Sequence, residues 1–256
     1  MGAVLGSRVD LVAVPGGTVV LRDARTGSSR EVRLDPFSLA TTPVTVEGGD
    51  RPMHPVTWFD AVRWCNTASL AGGLVPAYVL ADGEVIWLVH ADGYRLPTEA
   101  EWEWACRAGT TSPTYGPLAE IAWTASDEVD GPQPVARKAA NAYGLFDMLG
   151  NVWEWVWDYA DTARYADYRT LRGGGWADRP WSCRASVRRG SAPGAVLEDV
   201  GFRVARGGVG ADGSDEAQGW SAAADLSRAS LPGPVPFGWT PLGTPVPRRD
   251  RRDDGR

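Results

Sequence analysis

Three cysteines and two histidines are the side chains of this sequence best suited to redox or soft-metal chemistry. Cys65, Cys106 and Cys183 lie far apart, are odd in number and form no Cys-x-x-Cys pair, which argues against a disulfide framework and a structural zinc site. His54 and His90 are also widely separated, so the sequence disfavours a multi-histidine iron or zinc site within this chain. Single thiols remain as the candidates for reactivity.

Carboxylates offer a second kind of chemistry, based on oxygen. Glu154 lies in the segment 152–158, where tryptophans occupy every second position, and it could either pair with an arginine or ligate a hard cation. Glu99 and Glu103 could be catalytic carboxylates, but their place at the start of a predicted helix favours compensation of the helix dipole.

Tryptophan is unusually frequent, with 13 in the chain, most of them between Trp58 and Trp181. Such density favours a core in which large rings fill space between irregular segments. A surface that stacks on carbohydrate or nucleobase rings is the alternative. Core packing is favoured because most of the tryptophans fall in amphipathic patterns.

Capping and turn signals divide the chain into short elements that would position these residues. Thr57 with Asp60, and Thr98 with Glu101 after Pro97, predict the starts of two helices. Short β-branched or alternating runs between turn residues predict strands within residues 9–21 (two strands), 30–39, 76–90 (a hairpin), 152–158, 171–176, 183–188 and 200–204.

Composition sets broader limits. A formal net charge of -6 provides no basic surface for nucleic acid. No run approaches the roughly 20 apolar residues of a membrane span, and the N-terminal residues do not form a signal peptide, so we expect a cytoplasmic protein that binds no membrane. Residues 1–206 are expected to form one domain, and residues 207–256, with 9 Gly and 6 Pro, a largely disordered tail.

Five ordered motifs resemble the formylglycine-generating-enzyme (sulfatase-modifying-factor) domain family. The motifs are VPGGT at 14–18, HPV at 54–56 followed by Trp58, Asp60 and Ala61, RLPTEAEWE at 95–103, YGL at 143–145 leading to GNVWEW at 150–155, and RGG at 172–174 with Cys183-Arg184 and GFR at 201–203. The resemblance covers roughly residues 9–205. It implies an α+β, C-type-lectin-like fold of the formylglycine-generating-enzyme type, with low regular secondary structure.

The resemblance also implies a Cu(I) site formed by two cysteine thiolates, and this sequence does not complete it. Cys183 matches the second cysteine, whereas Asp178 stands at the first and Gly175 at the serine of the family's RGGS motif. A hard carboxylate is a poor substitute for a soft thiolate on Cu(I). Arg179 stands where the family usually has a histidine, and we expect Arg179 and Arg184 to lower the pKa of Cys183 if that thiol is reactive.

The resemblance also has implications for calcium, for iron and for the other two cysteines. The segment from Leu149 to Glu154 resembles the family's calcium loop, which implies calcium on Asn151 and Glu154, with pairing of Glu154 to Arg172 or Arg203 as the alternative. Iron would need ligands from a partner protein. Cys65 and Cys106 match family cysteines that form disulfides, but residues 204 and 188 stand at their partners' positions, so both are expected to be reduced.

Three functions are consistent with the resemblance. The first is an oxidoreductase of the non-haem-metal type that has diverged from copper-thiolate cysteine oxidation, with Cys183, Asp178 and Trp155 as catalytic residues. The second is a non-catalytic, lectin-like module that binds a small molecule or a peptide. Its binding groove would be formed by Arg172, Trp176, Arg179, Trp181 and Arg184. The third is an active formylglycine-generating oxidase acting on a sulfatase cysteine.

Overall fold

The two capping patterns seen in the sequence start the two longest helices of the structure. The structure is a computed structural model that describes residues 9–230 except 24–26, 82–83, 212–213 and 215. Thr57 and Thr98 each cap a first turn with the hydroxyl, while Asp60 and Glu101 bond back to the backbone of the capping residue. The helices are α1 (Trp58–Ala71), α2 (Glu99–Arg107), α3 (Leu118–Ile121) and α4 (Ala222–Ala229).

The strands are short and separated by long irregular segments. They are β1 (Leu11–Val14), β2 (Gly17–Asp23), β3 (Ser28–Leu34), β4 (Phe37–Ala40), β5 (Tyr78–Ala81), β6 (Glu84–Trp87), β7 (Tyr94–Arg95), β8 (Trp153–Tyr159), β9 (Arg169–Arg172), β10 (Arg188–Ser191), β11 (Val200–Phe202), β12 (Ala205–Arg206), β13 (Glu216–Ala217) and β14 (Trp220–Ser221).

Two four-stranded sheets organise the described residues. One has the strand order β1-β4-β12-β7 and the other β10-β9-β8-β11. In the second sheet β11 runs parallel to β8, and the other neighbours are antiparallel. Hairpins β2-β3, β5-β6 and β13-β14 form separate two-stranded sheets.

The two strands predicted within 9–21 are present, whereas the single strand predicted at 30–39 needs correction. The two strands within 9–21 exist but do not pair with each other, because β1 pairs with β4 and β2 with β3. The run 30–39 is interrupted at Asp35-Pro36, where proline cannot donate a ladder hydrogen bond.

Most of the tryptophans fill the core, as predicted. The ring of Trp157 lies 5.4 Å from Trp58, 5.2 Å from Tyr78, 5.5 Å from Trp87 and 5.4 Å from Trp220. Offset and edge-to-face contacts of this kind stabilise beyond the burial of area alone.

Residues of the segment predicted as a tail, which begins at residue 207, pack against the domain. Trp220 closes the tryptophan cluster, and the backbone carbonyl of Gln218 accepts a hydrogen bond of 2.8 Å from the Thr98 hydroxyl. The carbonyl of Asp225 likewise accepts a bond of 2.8 Å from Thr162. One tryptophan and a few polar contacts therefore attach this part of the segment to the core, while residues 231–256 lie outside the described part.

Among the described residues, no helix combines the length and apolar character that crossing a membrane requires.

Candidate functional site

The segment after β9 carries the candidate catalytic residues. Gly173 and Gly174 have φ of 99° and 84°, a region that strongly favours glycine, and they turn the chain away from the sheet. A short 3-10 turn at Pro180–Ser182 then leads to Cys183.

Asp178 acts as an internal acceptor. Its Oδ2 accepts hydrogen bonds from Trp153 Nε1 at 2.5 Å and from the Gly175 backbone N–H at 2.9 Å. The backbone carbonyl of Asp178 also accepts from the Ala125 N–H at 2.9 Å. The carboxylate therefore ties this turn to β8, a structural use that needs no metal.

Cys183 is buried and covered by the glycine turn. Its side chain has no exposed surface, and a Cβ added at Gly174 would meet its sulfur at 2.6 Å. Burial, reinforced by the nearby Asp178 carboxylate, raises the pKa of the Cys183 thiol to about 12. The expectation that Arg179 and Arg184 lower this pKa is therefore wrong, because both guanidinium groups lie on the exposed side of the segment.

Gly175 is fitted to its neighbours as well. A Cβ at this position would lie 3.0 Å from the Asp199 carboxylate and 3.2 Å from the Trp153 ring. A serine, as the family motif has, would need this pocket to shift. Burial and the nearby Asp178 raise the pKa of Asp199.

Trp155, predicted to be catalytic, is a core residue. Its side chain is fully buried, and its Nε1 donates to the Val56 carbonyl at 2.9 Å. It packs in a different hydrophobic cluster from Cys183. Because β8 lies inside its sheet, its side chains are buried on both faces, and alternation alone does not show which tryptophan faces a site.

The predicted groove divides into two places. Trp181 is 63% exposed, and Arg179 and Arg184 are exposed beside it, with Arg184 Nε donating to the Trp181 carbonyl at 2.7 Å. Trp176 is half-buried, and its Nε1 has no hydrogen-bond partner among the described residues. We call these four residues the Trp181 surface.

Arg172 does not belong to the Trp181 surface. It is buried, and its Nη2 donates to Glu103 at 2.5 Å and to the Ala185 carbonyl at 2.6 Å. Since Arg172 ends β9, its side chain points towards α2 while the chain after it turns away.

Glu154 and Asn151 have the partners that the ion-pair alternative requires. Glu154 Oε2 accepts from Arg203 Nε and Trp102 Nε1, both at 2.7 Å, and Oε1 accepts from Arg203 Nη2 at 2.8 Å. Asn151 Oδ1 accepts from the Gln133 N–H at 2.8 Å. These oxygens face hydrogen-bond donors, and an arginine lies where a cation would sit, so the pair does not fit a calcium site.

The two remaining cysteines are also buried thiols. Cys65 and Cys106 are free and buried, and burial raises the pKa of each, that of Cys106 to about 12. Within the described ranges, no group of three or more His, Cys, Asp or Glu side chains is arranged to hold a metal ion.

Sequence reasoning missed a buried ionic network on α2. Glu99 receives two bonds of 2.7 Å from Arg188, and Glu103 Oε1 receives a bond of 2.8 Å from Arg107 Nη2. The glutamates are thus buried ion-pair partners rather than exposed charges at a helix end. The signal was the unusual placement of three glutamates within RLPTEAEWE, but the partners Arg172 and Arg188 are far away in sequence.

The chain is similar in sequence and in fold to known proteins. A family model described as "Sulfatase-modifying factor enzyme 1-like domain" matches residues 47–207. The "Inactive C-alpha-formylglycine-generating enzyme 2" of Bos taurus is 36% identical, over 79% of this chain and 89% of that protein. The "Chaperone protein LppX" of Paenibacillus barcinonensis is 28% identical, over 77% and 89%. The solved structure of "Treponema denticola variable protein 1" has a TM-score of 0.68 and 27% identity, over 77% and 94%.

The structure belongs to the class of α+β, C-type-lectin-like proteins in which regular secondary structure is low and its elements are short, as predicted. Within that class, the chain belongs to the formylglycine-generating-enzyme (sulfatase-modifying-factor) family.

Proposed function

We propose that this chain is a non-catalytic member of its family that binds a small molecule or a peptide segment at the Trp181 surface. The residues at the positions of the family's two copper ligands support this most strongly. Cys183 is buried as a neutral thiol, and Asp178 stands where the family has its first cysteine ligand. A two-coordinate Cu(I) site needs both soft sulfur ligands.

The Trp181 surface supports the binding half of the proposal. An indole that is 63% exposed lies beside two exposed arginines, which together offer a ring face and charged donors. Exposed tryptophan and arginine are frequent anchors of binding surfaces. The relative from Bos taurus is named as inactive, and we extend that property to this chain as part of the proposal.

An oxidoreductase diverged from copper chemistry is the competing proposal, and Cys183 at the family's cysteine position favours it. An active formylglycine-generating oxidase would need the same thiol to ionise. Burial of the sulfur opposes both, because the thiolate is the nucleophile and the metal ligand.

A Cu(I) competition titration separates these proposals. Wild-type protein and Cys183→Ala are expected to compete equally weakly with a Cu(I) chelator. Asp178→Cys supplies the missing thiol and acts as the positive control, with an expected gain in affinity of at least about tenfold. Stoichiometric copper in the wild type that Cys183→Ala removes would contradict the proposal.

The Trp181 surface is tested by selecting displayed peptides on the immobilised wild type. Enriched peptides are expected to lose binding to Trp181→Ala and to keep it on Val196→Ala, a matched variant whose side chain is 68% exposed. Equal binding to both variants would exclude this surface.

A further inference from the structure

A cavity of about 390 Å³ lies between the β2-β3 hairpin, the start of α2 and β10. Neither Cys183 nor any residue of the Trp181 surface lines it, so the cavity is separate from the surface proposed above. Its lining is Leu21, Arg22, Ser28, Ser29, Arg30, Glu99, Glu103, Arg172, Ser186, Arg188 and Arg228.

The lining is strongly basic, although the chain as a whole carries a formal net charge of -6. Five arginines face two glutamates, and each glutamate is shared between two arginines. Glu99 lies 2.7 Å from Arg188 and 3.4 Å from Arg172, and Glu103 lies 2.5 Å from Arg172 and 2.8 Å from Arg107. The two lining carboxylates are therefore engaged, and Arg228 pairs with Asp225 outside the lining; five arginines against these three carboxylates leave an excess of positive charge.

Two arginine N–H groups of this lining have no acceptor among the described residues. Arg172 is 1% exposed, and its buried Nε has no hydrogen-bond partner; the buried Nε of Arg228 also has none. Arg30 donates from Nη1 to the Gly219 carbonyl at 2.7 Å and has no carboxylate of the described chain within ion-pair distance. Buried donors without acceptors are costly, so a site that gathers them favours an oxygen-rich ligand.

We propose that this cavity binds the phosphate or sulfate group of a small molecule. Guanidinium groups match the oxygens of a tetrahedral dianion, and the excess of positive charge suits a dianion better than a single carboxylate. Serine hydroxyls on the hairpin and at Ser186 add further donors at the rim. The volume exceeds that of an inorganic ion and falls in the usual range for small-molecule sites, which leaves room for an organic part.

Isothermal titration of the full chain with inorganic phosphate, sulfate and phenyl phosphate tests the proposal. All three are expected to bind with one site per chain, and phenyl phosphate most tightly because it fills more of the cavity. Arg30→Gln is expected to weaken each by at least about tenfold, since it removes a charge-assisted contact. Arg63→Gln makes the same charge change at a side chain that is 57% exposed on α1 and should leave binding unaltered.

A second variant keeps the test decisive if Arg30→Gln disturbs the hairpin. Ser186→Asp adds a carboxylate at an exposed rim position and is expected to abolish binding while the near-UV circular dichroism stays unaltered. Binding that Arg30→Gln and Arg63→Gln weaken equally would show general charge attraction and overturn the proposal, as would no heat with any of the anions. Sedimentation with phosphatidate vesicles that depends on Arg30 would assign the site to a lipid headgroup and overturn the small-molecule ligand.

Discussion

Glu154→Gln should destabilise the protein more than any exposed charge substitution. Glu154 accepts two bonds from Arg203 and one from Trp102, all between 2.7 and 2.8 Å and all buried. Two of these bonds are on Oε2, so a glutamine can keep both with its single amide oxygen, but its N–H₂ group then faces Arg203 Nη2 and the bond to Oε1 is lost. At roughly 1.5–3 kcal/mol for a hydrogen bond to a charged group, that bond accounts for about 1.5–3 kcal/mol, and the loss of the negative charge opposite Arg203 adds to it.

The total is expected near the lower end of the cost of breaking a buried ion pair. Arg203 keeps its bonds to the carbonyls of Ala40 and Phe146, at 3.0 and 2.9 Å, so its charge is not left without acceptors. Removing one partner of a buried pair typically costs about 3–5 kcal/mol. We therefore expect Glu154→Gln to lower the free energy of unfolding by about 3–4 kcal/mol.

Urea unfolding followed by tryptophan fluorescence measures this change. Asp50→Asn is the matched control, because it breaks an ion pair with Arg137 whose side chains are 59% and 62% exposed, and it should cost less than about 1 kcal/mol. A Glu154→Gln cost no larger than that of Asp50→Asn would refute the ion-pair argument. The same titrations with millimolar calcium or with a chelator should coincide, whereas calcium-dependent stability lost in Glu154→Gln would restore the metal alternative.

Three further predictions concern the core. Burial, reinforced by Glu99, raises the pKa of Asp158 from 3.8 to about 7, so its stabilising contribution is full below about pH 4 and is lost as pH rises through 7. In urea unfolding between pH 5 and 8, the free energy of unfolding of Asp158→Asn should therefore rise relative to that of the wild type as pH increases, by at most about 4 kcal/mol. Parallel profiles of the two proteins would contradict this. Gly174→Ala should lower the melting temperature because the backbone is strained at φ of 84° and the new methyl group contacts the Cys183 sulfur, at a cost of about 2 kcal/mol or more. Gly131→Ala, whose methyl group would meet open space, should leave the melting temperature unchanged, and equal melting temperatures of the two variants would contradict this. Iodoacetamide at pH 8 should label Cys183 slowly in the native protein and rapidly in urea, as read by mass spectrometry, and rapid native labelling would show that the thiol is accessible.

Local sequence signals predicted two helix starts and one hairpin, but not the structure at 183–188, where a strand was expected and only Arg188 belongs to one. The Thr57 and Thr98 capping patterns start helices as expected, because every atom of a capping box lies within four residues. The hairpin within 76–90 forms β5 and β6, again from neighbouring residues. Ordered motifs also predicted the family and fold.

Contacts between distant residues could not be predicted in the same way. The partners of Glu99 and Glu103 include Arg188 and Arg172, and no periodicity indicates a pair separated by so much chain. The direction of the Arg172 side chain likewise depends on how β9 pairs with β8 and β10, which the residues around it do not specify. For that reason the predicted groove contained one residue that belongs to another cavity.

We propose that Cys183 and Asp178 do not support cysteine oxidation, and a turnover assay with a peptide substrate tests this. Purified wild-type protein, supplied with Cu(I), oxygen and a thiol reductant, is incubated with a sulfatase-type cysteine peptide, and the peptide is examined by mass spectrometry beside the Cys183→Ala variant. The buried thiol and the missing second sulfur predict an unmodified cysteine in both samples. Formylglycine produced over several turnovers by the wild type, and not by Cys183→Ala, would contradict the claim.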